Sequence, residues 1–133
     1  MEERRSFAGE YNCQIIKKYL NNSRVTMAVL VVVWIVYVIE CLYTWVNFSF
    51  QYGAGTIHPV TLVKMGGNVA RMVQEGQVYR LLTATVLHAG IMHIFMNSAS
   101  LIAFCAEVEA TVSFKLYLVV LVVGGIQGSS LKI

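Results

Sequence analysis

Charged residues are scarce in this chain, and their scarcity limits the classes of protein it can belong to. Only 13% of its 133 residues are Asp, Glu, Lys or Arg, whereas 57% are hydrophobic. A soluble domain of this size carries about a quarter charged residues, so the composition favours a membrane protein with one compact unit. The net charge is only +3, and the basic residues form no stripe with interleaved aromatics. We therefore expect no nucleic-acid partner.

Cysteine is also rare, with three residues in the whole chain. Cys13, Cys41 and Cys105 form neither a paired framework nor a metal-ligand cluster, so we expect no disulfide scaffold, no metal and no cofactor. A signal peptide is not visible either. The first apolar run begins too late and is too long for one, and the early glutamates are atypical of an organellar transit peptide.

Three apolar runs predict an all-α, polytopic membrane protein. The first covers about residues 25–46, and the second covers 81–106 without a single Asp, Glu, Lys or Arg. At about 1.5 Å per helical residue, each can cross a hydrocarbon core of roughly 30 Å. A third run, about 116–131, is barely long enough, so we expect a unit that is cut short. The predicted membrane domain is 25–133.

Residues 1–24 form a polar tail that we expect in the cytosol, with a short amphipathic helix near 11–20. Basic residues precede the first span more densely than they follow it, and cytoplasmic segments carry such an excess. We also expect a multi-pass protein of the plasma membrane or secretory pathway rather than the mitochondrion, because the early glutamates are atypical of a transit peptide. The connection 47–79 then faces outward or into a lumen, and its apolar residues predict a loop partly embedded in the membrane.

The second run carries two histidines and one asparagine, His88, His93 and Asn97. Such groups are costly in lipid, so they serve either as interhelical hydrogen bonds or as working groups. On a continuous helix His93 and Asn97 lie about one turn apart and face the same pocket. His88 lies about 140° round from His93 and should face a different neighbour. Neutral imidazole and carboxamide N–H groups are suited to stabilising an oxyanion.

Glu40 is the anomaly of the first span, because it is the one acidic residue in an otherwise apolar stretch. It lies roughly 22 Å into the predicted helix and so near the far interface. The interpretation we favour is an interfacial or interhelical hydrogen-bonding carboxyl, ahead of a catalytic one.

The order of motifs around these residues resembles the second membrane helix of the rhomboid family of intramembrane serine proteases. The resemblance is carried by Tyr79-Arg80, by Leu87-His88-Ala89-Gly90, and by His93, Asn97 and Glu109. Weaker similarity extends to the glycines on either side, so it covers roughly the second half of the chain. It implies the first three helices of a rhomboid-like bundle with a long first loop.

The resemblance also implies roles for individual residues. His93 and Asn97 would donate to the oxyanion of the tetrahedral intermediate, while His88, Arg80 and Glu109 would support the structure. In the family, the nucleophile is a serine in a Gly-x-Ser-Gly motif, and a histidine on a later helix acts as base. Neither is present in this sequence, since no Gly-x-Ser-Gly occurs and no histidine follows His93.

Two functions from different classes follow. The first is a rhomboid-like serine endopeptidase that cleaves transmembrane protein substrates in the bilayer, with this chain holding only part of the site and inactive as given. The second is a non-catalytic rhomboid-like protein that binds transmembrane helices. Without the resemblance, histidine and asparagine on a buried helix face are more often plain interhelical hydrogen-bonding groups, and a small membrane protein could match the motifs by chance.

Overall fold

The computed structural model describes residues 23–49, 53 and 55–130, with side chains described up to residue 128. This part of the chain is helical and contains no β-strand, apart from one isolated antiparallel bridge between Thr56 and Gly90. The elements are α1 (Arg24–Phe48), α2 (Pro59–Lys64), α3 (Ala70–Gln74), α4 (Arg80–Thr83), α5 (Ile91–Ser100), a π-helical turn (Leu101–Cys105), α6 (Ala106–Thr111) and α7 (Phe114–Ser130).

Helix α1 contains the predicted first span and is slightly longer at both ends. Its 25 residues make a helix of about 37 Å, which exceeds the thickness of a hydrocarbon core. The buried residues follow one face at helical spacing: Thr26, Val33, Tyr37, Glu40 and Thr44. The remaining faces are apolar and largely exposed. One stripe of α1 is therefore packed against protein, and the rest is free to face lipid.

The predicted second span, 81–106, is wrong at both ends. The membrane-crossing helix runs over Ile91–Thr111 as α5, the π turn and α6 together, and residues 84–90 before it are not helical. We call this continuous element the second membrane helix. Its 21 residues extend about 31 Å, so its length still suits a bilayer.

Competing hydrogen bonds explain why the helix starts so late. The amide of Ile91 donates to the Gly55 carbonyl at 2.8 Å, and the amide of Ile57 donates to the Ala89 carbonyl at 3.0 Å. Backbone groups committed to another segment cannot continue a helical ladder. Gly90 lies in this pairing with an extended backbone, and a Cβ there would approach the Gly55 oxygen to 3.2 Å.

Polar contacts join α1 and the second membrane helix along their whole length, and the two run antiparallel. At one end the Glu109 carboxylate accepts from the amides of Val25 and Thr26, each at 2.8 Å. In the middle, Trp34 Nε1 donates to Ser98 Oγ at 3.0 Å. The Glu109 bonds occupy two amides that the first turn of α1 leaves without helical acceptors, and Ser23 supplies no side-chain cap there.

The outer surface of the bundle is apolar, which indicates a lipid environment. Large apolar side chains on the membrane helices are more than half exposed, among them Val46 at 76%, Phe104 at 69% and Met92 at 68%. Exposure on this scale is unfavourable in water, and lipid removes the cost. Within the described residues, α1 and the second membrane helix are both long and apolar enough to span a bilayer. The chain is an integral membrane protein by these criteria.

The third span, the first loop and the amino-terminal tail of the predicted topology are not confirmed by the described residues. Helix α7 is apolar but has only 17 residues, so a third span about 116–131 stays a prediction. The predicted loop 47–79 contains α2 and α3, and whether it enters the membrane also stays a prediction. The predicted tail 1–24, including the amphipathic helix near 11–20, lies outside the described residues except for its last two.

Removing one buried hydroxyl should weaken the junction between the three longest elements. Thr26 is fully buried, and its Oγ1 lies 2.6 Å from both Glu109 Oε2 and the Tyr117 hydroxyl. Thr26→Val keeps the shape but leaves those two groups short of a partner. We expect the free energy of unfolding in bicelles to fall by about 1–3 kcal/mol. Exposed Thr111→Val serves as the matched control and should change it by less than about 0.5 kcal/mol; equal losses would contradict the prediction.

Candidate functional site

Three polar side chains meet where the second membrane helix begins. The carboxamide nitrogen of Asn97 lies 3.1 Å from His88 Nε2 and 3.3 Å from His93 Nε2. The two imidazole rings are 5.1 Å apart between centroids. We call these three residues the His–Asn cluster. Its asparagine touches both histidines, so the cluster is one connected hydrogen-bonded unit.

The expectation that His88 faces a different neighbour from His93 is wrong. That expectation assumed one continuous helix, on which five residues correspond to about 140° of rotation. His88 instead lies in the non-helical segment before α5, and its ring turns towards Asn97. The helix break therefore brings together three groups that helical periodicity would separate.

Hydrogen bonding fixes the tautomer of His88 and the orientation of Asn97. His88 Nδ1 lies 3.1 Å from the Val86 carbonyl oxygen, which can only accept. The proton of the neutral ring is therefore on Nδ1, and Nε2 accepts from the Asn97 amide group. This assignment places the Asn97 NH₂ group, rather than its oxygen, between the two rings. Its second hydrogen points towards His93.

The cluster is buried on one side and open on the other. His88 is only 2% exposed, whereas the side chains of His93 and Asn97 are both exposed. Asn97 and His88 line a cavity of about 470 Å³ between α1, the second membrane helix and α7. His93 lines a separate cavity of about 340 Å³ against α2 and the chain around Gly67. The expected single pocket is thus two cavities, with the His93–Asn97 contact at their border.

Arg80 lies apart from the cluster and organises the loop. It is 7% exposed, and its guanidinium donates to the carbonyls of Val63 and Gly67 at 2.8 and 3.0 Å. A third bond, at 2.8 Å, goes to Gln77 Oε1. A charged group this buried is tolerable because each contact satisfies one of its donors. Through these bonds Arg80 ties α4 to the end of α2 and to the segment that follows it.

Glu109 also lies far from the cluster, at the opposite end of the second membrane helix, where it caps α1. Glu40 contacts the His–Asn cluster, although the sequence did not predict it as a site residue. It is fully buried, and both carboxylate oxygens face the His88 amide, at 3.2 and 3.3 Å. Glu40 is thus a hydrogen-bonding carboxyl, as the favoured interpretation held, but its partner lies in the non-helical segment before α5 rather than on a helix. Its partner was not predictable, because the contact depends on the helix break.

The chemistry available to the cluster is hydrogen-bond donation without permanent charge. A neutral carboxamide and neutral imidazoles can stand in an apolar span at much lower cost than Lys or Arg. Donors held in place in a low-dielectric site stabilise a developing negative charge strongly, because no solvent competes and no reorganisation is needed. Within the described residues, the structure therefore defines a helical membrane protein with a hydrogen-bonded cluster of two histidines and an asparagine at one end of a span.

Comparison with known proteins finds one matching family model. The family model described as "Rhomboid domain" matches residues 75–133, which contain the whole cluster together with Arg80 and Glu109. This segment is therefore similar to the rhomboid family. No solved structure matches the chain.

Three curated relatives show the extent of the similarity. Rhomboid protease GluP of Bacillus subtilis is 32% identical over 82 residues, which is 62% of this chain and 16% of the relative. RHOMBOID-like protein 5 of Arabidopsis thaliana is 33% identical over 69 residues, 52% of this chain and 22% of the relative. Rhomboid-like protease 1 of Toxoplasma gondii is 32% identical over 85 residues, 63% of this chain and 27% of the relative. The chain thus spans about a sixth to a quarter of these relatives.

Truncating Arg80 should loosen the loop without touching the cluster. Arg80→Leu removes the guanidinium bonds to the Val63 and Gly67 carbonyls, so we expect faster amide hydrogen exchange across 63–67 and a loss of about 1–3 kcal/mol of unfolding free energy. Arg71→Ala is the matched control, because the Arg71 side chain is 88% exposed and its one ion pair with Glu75 is of little energetic value. If Arg80→Leu exchanged no faster than Arg71→Ala, Arg80 would not be what holds this loop.

Proposed function

We propose that this chain carries the oxyanion-stabilising part of a rhomboid-type intramembrane serine endopeptidase, with His93 and Asn97 as the donors. The observation that carries the proposal is their placement. Both are exposed side chains one turn apart on an apolar membrane helix, 3.3 Å from each other, and both lie within the segment that matches the rhomboid family. In this position a substrate carbonyl could reach both residues.

The chemical reason lies in the charge that acyl transfer creates. When a serine hydroxyl attacks a peptide carbonyl, the oxygen becomes negatively charged, and N–H donors aimed at it lower the barrier. Asn97 now directs one hydrogen to each histidine, and the contact to His93 is the longer one. We expect the hydrogen that now points to His93 to donate to the oxyanion instead, while the hydrogen bond to His88 keeps the carboxamide in place.

By the same proposal, this chain supplies neither the serine nucleophile nor the histidine base. The sequence contains neither a Gly-x-Ser-Gly motif nor a histidine after His93, so a nucleophile and base of the family type must come from elsewhere. Donors alone cannot open a peptide bond, because a serine hydroxyl needs a positioned base to become nucleophilic. We therefore propose that the 133-residue chain on its own is inactive.

The remaining parts concern topology and substrate. We place residues 25–133 in a partial rhomboid-like membrane domain, with the tail 1–24 in the cytosol and the loop 47–79 on the opposite side. A membrane of the cell surface or the secretory pathway fits this orientation. The substrates we propose are proteins with a transmembrane segment, since the exposed face of the cluster opens within the apolar span.

The isolated chain should not react as a serine hydrolase. We expect the purified 133-residue chain in lipid vesicles to take up no fluorophosphonate probe and to leave a single-span model substrate intact. Gel-based detection of the probe and of cleavage products measures both. Labelling of a serine in this chain would overturn the assignment of the nucleophile to a segment outside it.

A fusion protein tests the donors themselves. The full chain would be followed by the part of the Bacillus subtilis relative that lies beyond the aligned segment. We expect this fusion to cleave the model substrate, and His93→Ala or Asn97→Ala to lower kcat about 100- to 1,000-fold each, because each substitution removes an oxyanion donor. Steady-state kinetics in vesicles gives kcat and KM separately.

The control for these variants is Met96→Leu, an exposed apolar residue next to Asn97 that should leave kcat unchanged. Thermal unfolding of every variant separates lost chemistry from lost structure. A folded, active fusion indifferent to both alanine substitutions would refute the donor role. A folded fusion that binds the substrate segment without cutting it would favour the non-catalytic helix-binding alternative.

A further inference from the structure

A buried acid on α1 has one described backbone donor, and that donor belongs to the His–Asn cluster. Glu40 is fully buried in the packed stripe of α1, and both of its oxygens face the amide of His88. An acidic side chain is among the most costly residues to place in an apolar span. Its only described hydrogen bonds go to the amide of the cluster's buried histidine, which points to a role in the placement of that residue.

The His88 amide needs such a partner because of the helix break. The segment 87–90 is not helical, so this N–H has no carbonyl of a preceding turn to donate to. On one side the segment is fastened to the loop, through the bond from Ile57 to Ala89 and the bond from Ile91 to Gly55. Glu40 fastens it on the other side. Two independent sets of hydrogen bonds therefore fix the backbone at His88.

A fixed backbone at His88 then determines the ring. The ring closes back on the Val86 carbonyl through Nδ1, and this leaves Nε2 as the acceptor for Asn97. A carboxamide has two orientations that differ by exchange of its oxygen and nitrogen. Only the orientation found here presents the NH₂ group to both histidines. The chain of contacts runs from Glu40 to His88, from His88 to Asn97, and from Asn97 to His93.

We propose that Glu40 is a positioning residue for the Asn97 and His93 donors, acting through the backbone and ring of His88. The inference rests on the proposed function for its catalytic consequence, but not for its structural one. Glu40 touches neither reacting atoms nor substrate. Its contribution is to hold a non-helical segment in the one conformation that orients the Asn97 carboxamide.

The chain itself provides a discriminating set of variants. Glu40→Gln keeps an oxygen that accepts from the His88 amide, whereas Glu40→Leu has none. Thr44→Val is the matched control, since Thr44 lies on the same buried stripe one turn away and its hydroxyl donates to Thr61 in the loop rather than to the cluster. A merely structural role for Glu40 would make the leucine and valine variants behave alike.

The first experiment is independent of activity. Nitrogen-15 NMR of the full 133-residue chain in bicelles reports the tautomer of His88 and the side-chain amide shifts of Asn97. We expect the Nδ1–H tautomer in the native chain, in Glu40→Gln and in Thr44→Val. In Glu40→Leu we expect a mixture of tautomers and displaced Asn97 amide signals. Native-like spectra for Glu40→Leu would overturn the proposal.

A second route is available if Glu40→Leu does not fold. His88→Phe retains the amide that donates to Glu40 but removes the ring that accepts from Asn97. We expect the side-chain amide signals of Asn97 to shift, because that hydrogen bond is lost. The backbone amide signals of α1 should stay as in the native chain. Unshifted Asn97 signals in a folded His88→Phe chain would also overturn the proposal, because the ring would then not be what orients the carboxamide.

The second experiment measures the catalytic consequence in the fusion protein. We expect Glu40→Leu to lower kcat about 10- to 100-fold with KM unchanged, because misplaced donors weaken only the transition state. Glu40→Gln should restore kcat, and Thr44→Val should not change it. If His93→Ala and Asn97→Ala lower kcat but Glu40→Leu does not, the positioning role fails and the proposed function stands. If none of them lowers kcat, the proposed function fails, while the NMR result still decides the structural role.

Discussion

The structure depends on one constraint, which is that a polar group buried among apolar helices must find a hydrogen-bond partner. In water an unpaired carboxyl or hydroxyl is solvated, whereas inside a membrane bundle it has only protein to bond to. α1 and the second membrane helix meet this constraint with pairs spread along their length. Glu109 bonds with Thr26 at one end and Trp34 bonds with Ser98 in the middle. At the other end Glu40 bonds with His88, in the segment just before the second membrane helix.

These pairs do more than satisfy individual groups. Apolar side chains packed against one another in lipid gain little that lipid would not also provide, so hydrophobic contact alone fixes the register of two membrane helices poorly. A hydrogen bond is directional and short, and a shift by one turn would break all three pairs at once. The polar contacts therefore set the register, and the register places the cluster at the same end of the bundle as the loop.

The break before α5 brings His88, His93 and Asn97 together at the start of a helix. Pairing between the segments 55–57 and 89–91 takes backbone groups that a longer helix would use. The histidine before the helix can then turn back onto the asparagine inside it. A continuous helix would carry the same residues with His88 and His93 on different faces, and the carboxamide would lack the neighbour that orients it.

Much of the architecture could be predicted from the sequence, because lipid imposes a simple rule of length and apolarity. The all-helical class, the first span and the presence of a second span follow from the apolar runs, and the similarity to the rhomboid family follows from the spacing of Arg80, His88, His93, Asn97 and Glu109. The choice of His93 and Asn97 as neighbours also follows, since a spacing of four gives adjacent positions on a helix. Each of these inferences uses only residues that are near one another in the chain.

Most of the inferences that were wrong or incomplete involve contacts between distant residues. The late start of the second membrane helix depends on backbone pairing with a loop more than thirty residues earlier, which helical periodicity cannot represent. The direction of His88, the division of the expected pocket into two cavities and the partner of Glu40 depend on that start. The sequence by itself determined that polar groups lie inside an apolar span, because composition decides burial in lipid. Only the tertiary structure decided which of them meet, because hydrogen bonds between segments compete with the helix and local propensity cannot decide between them.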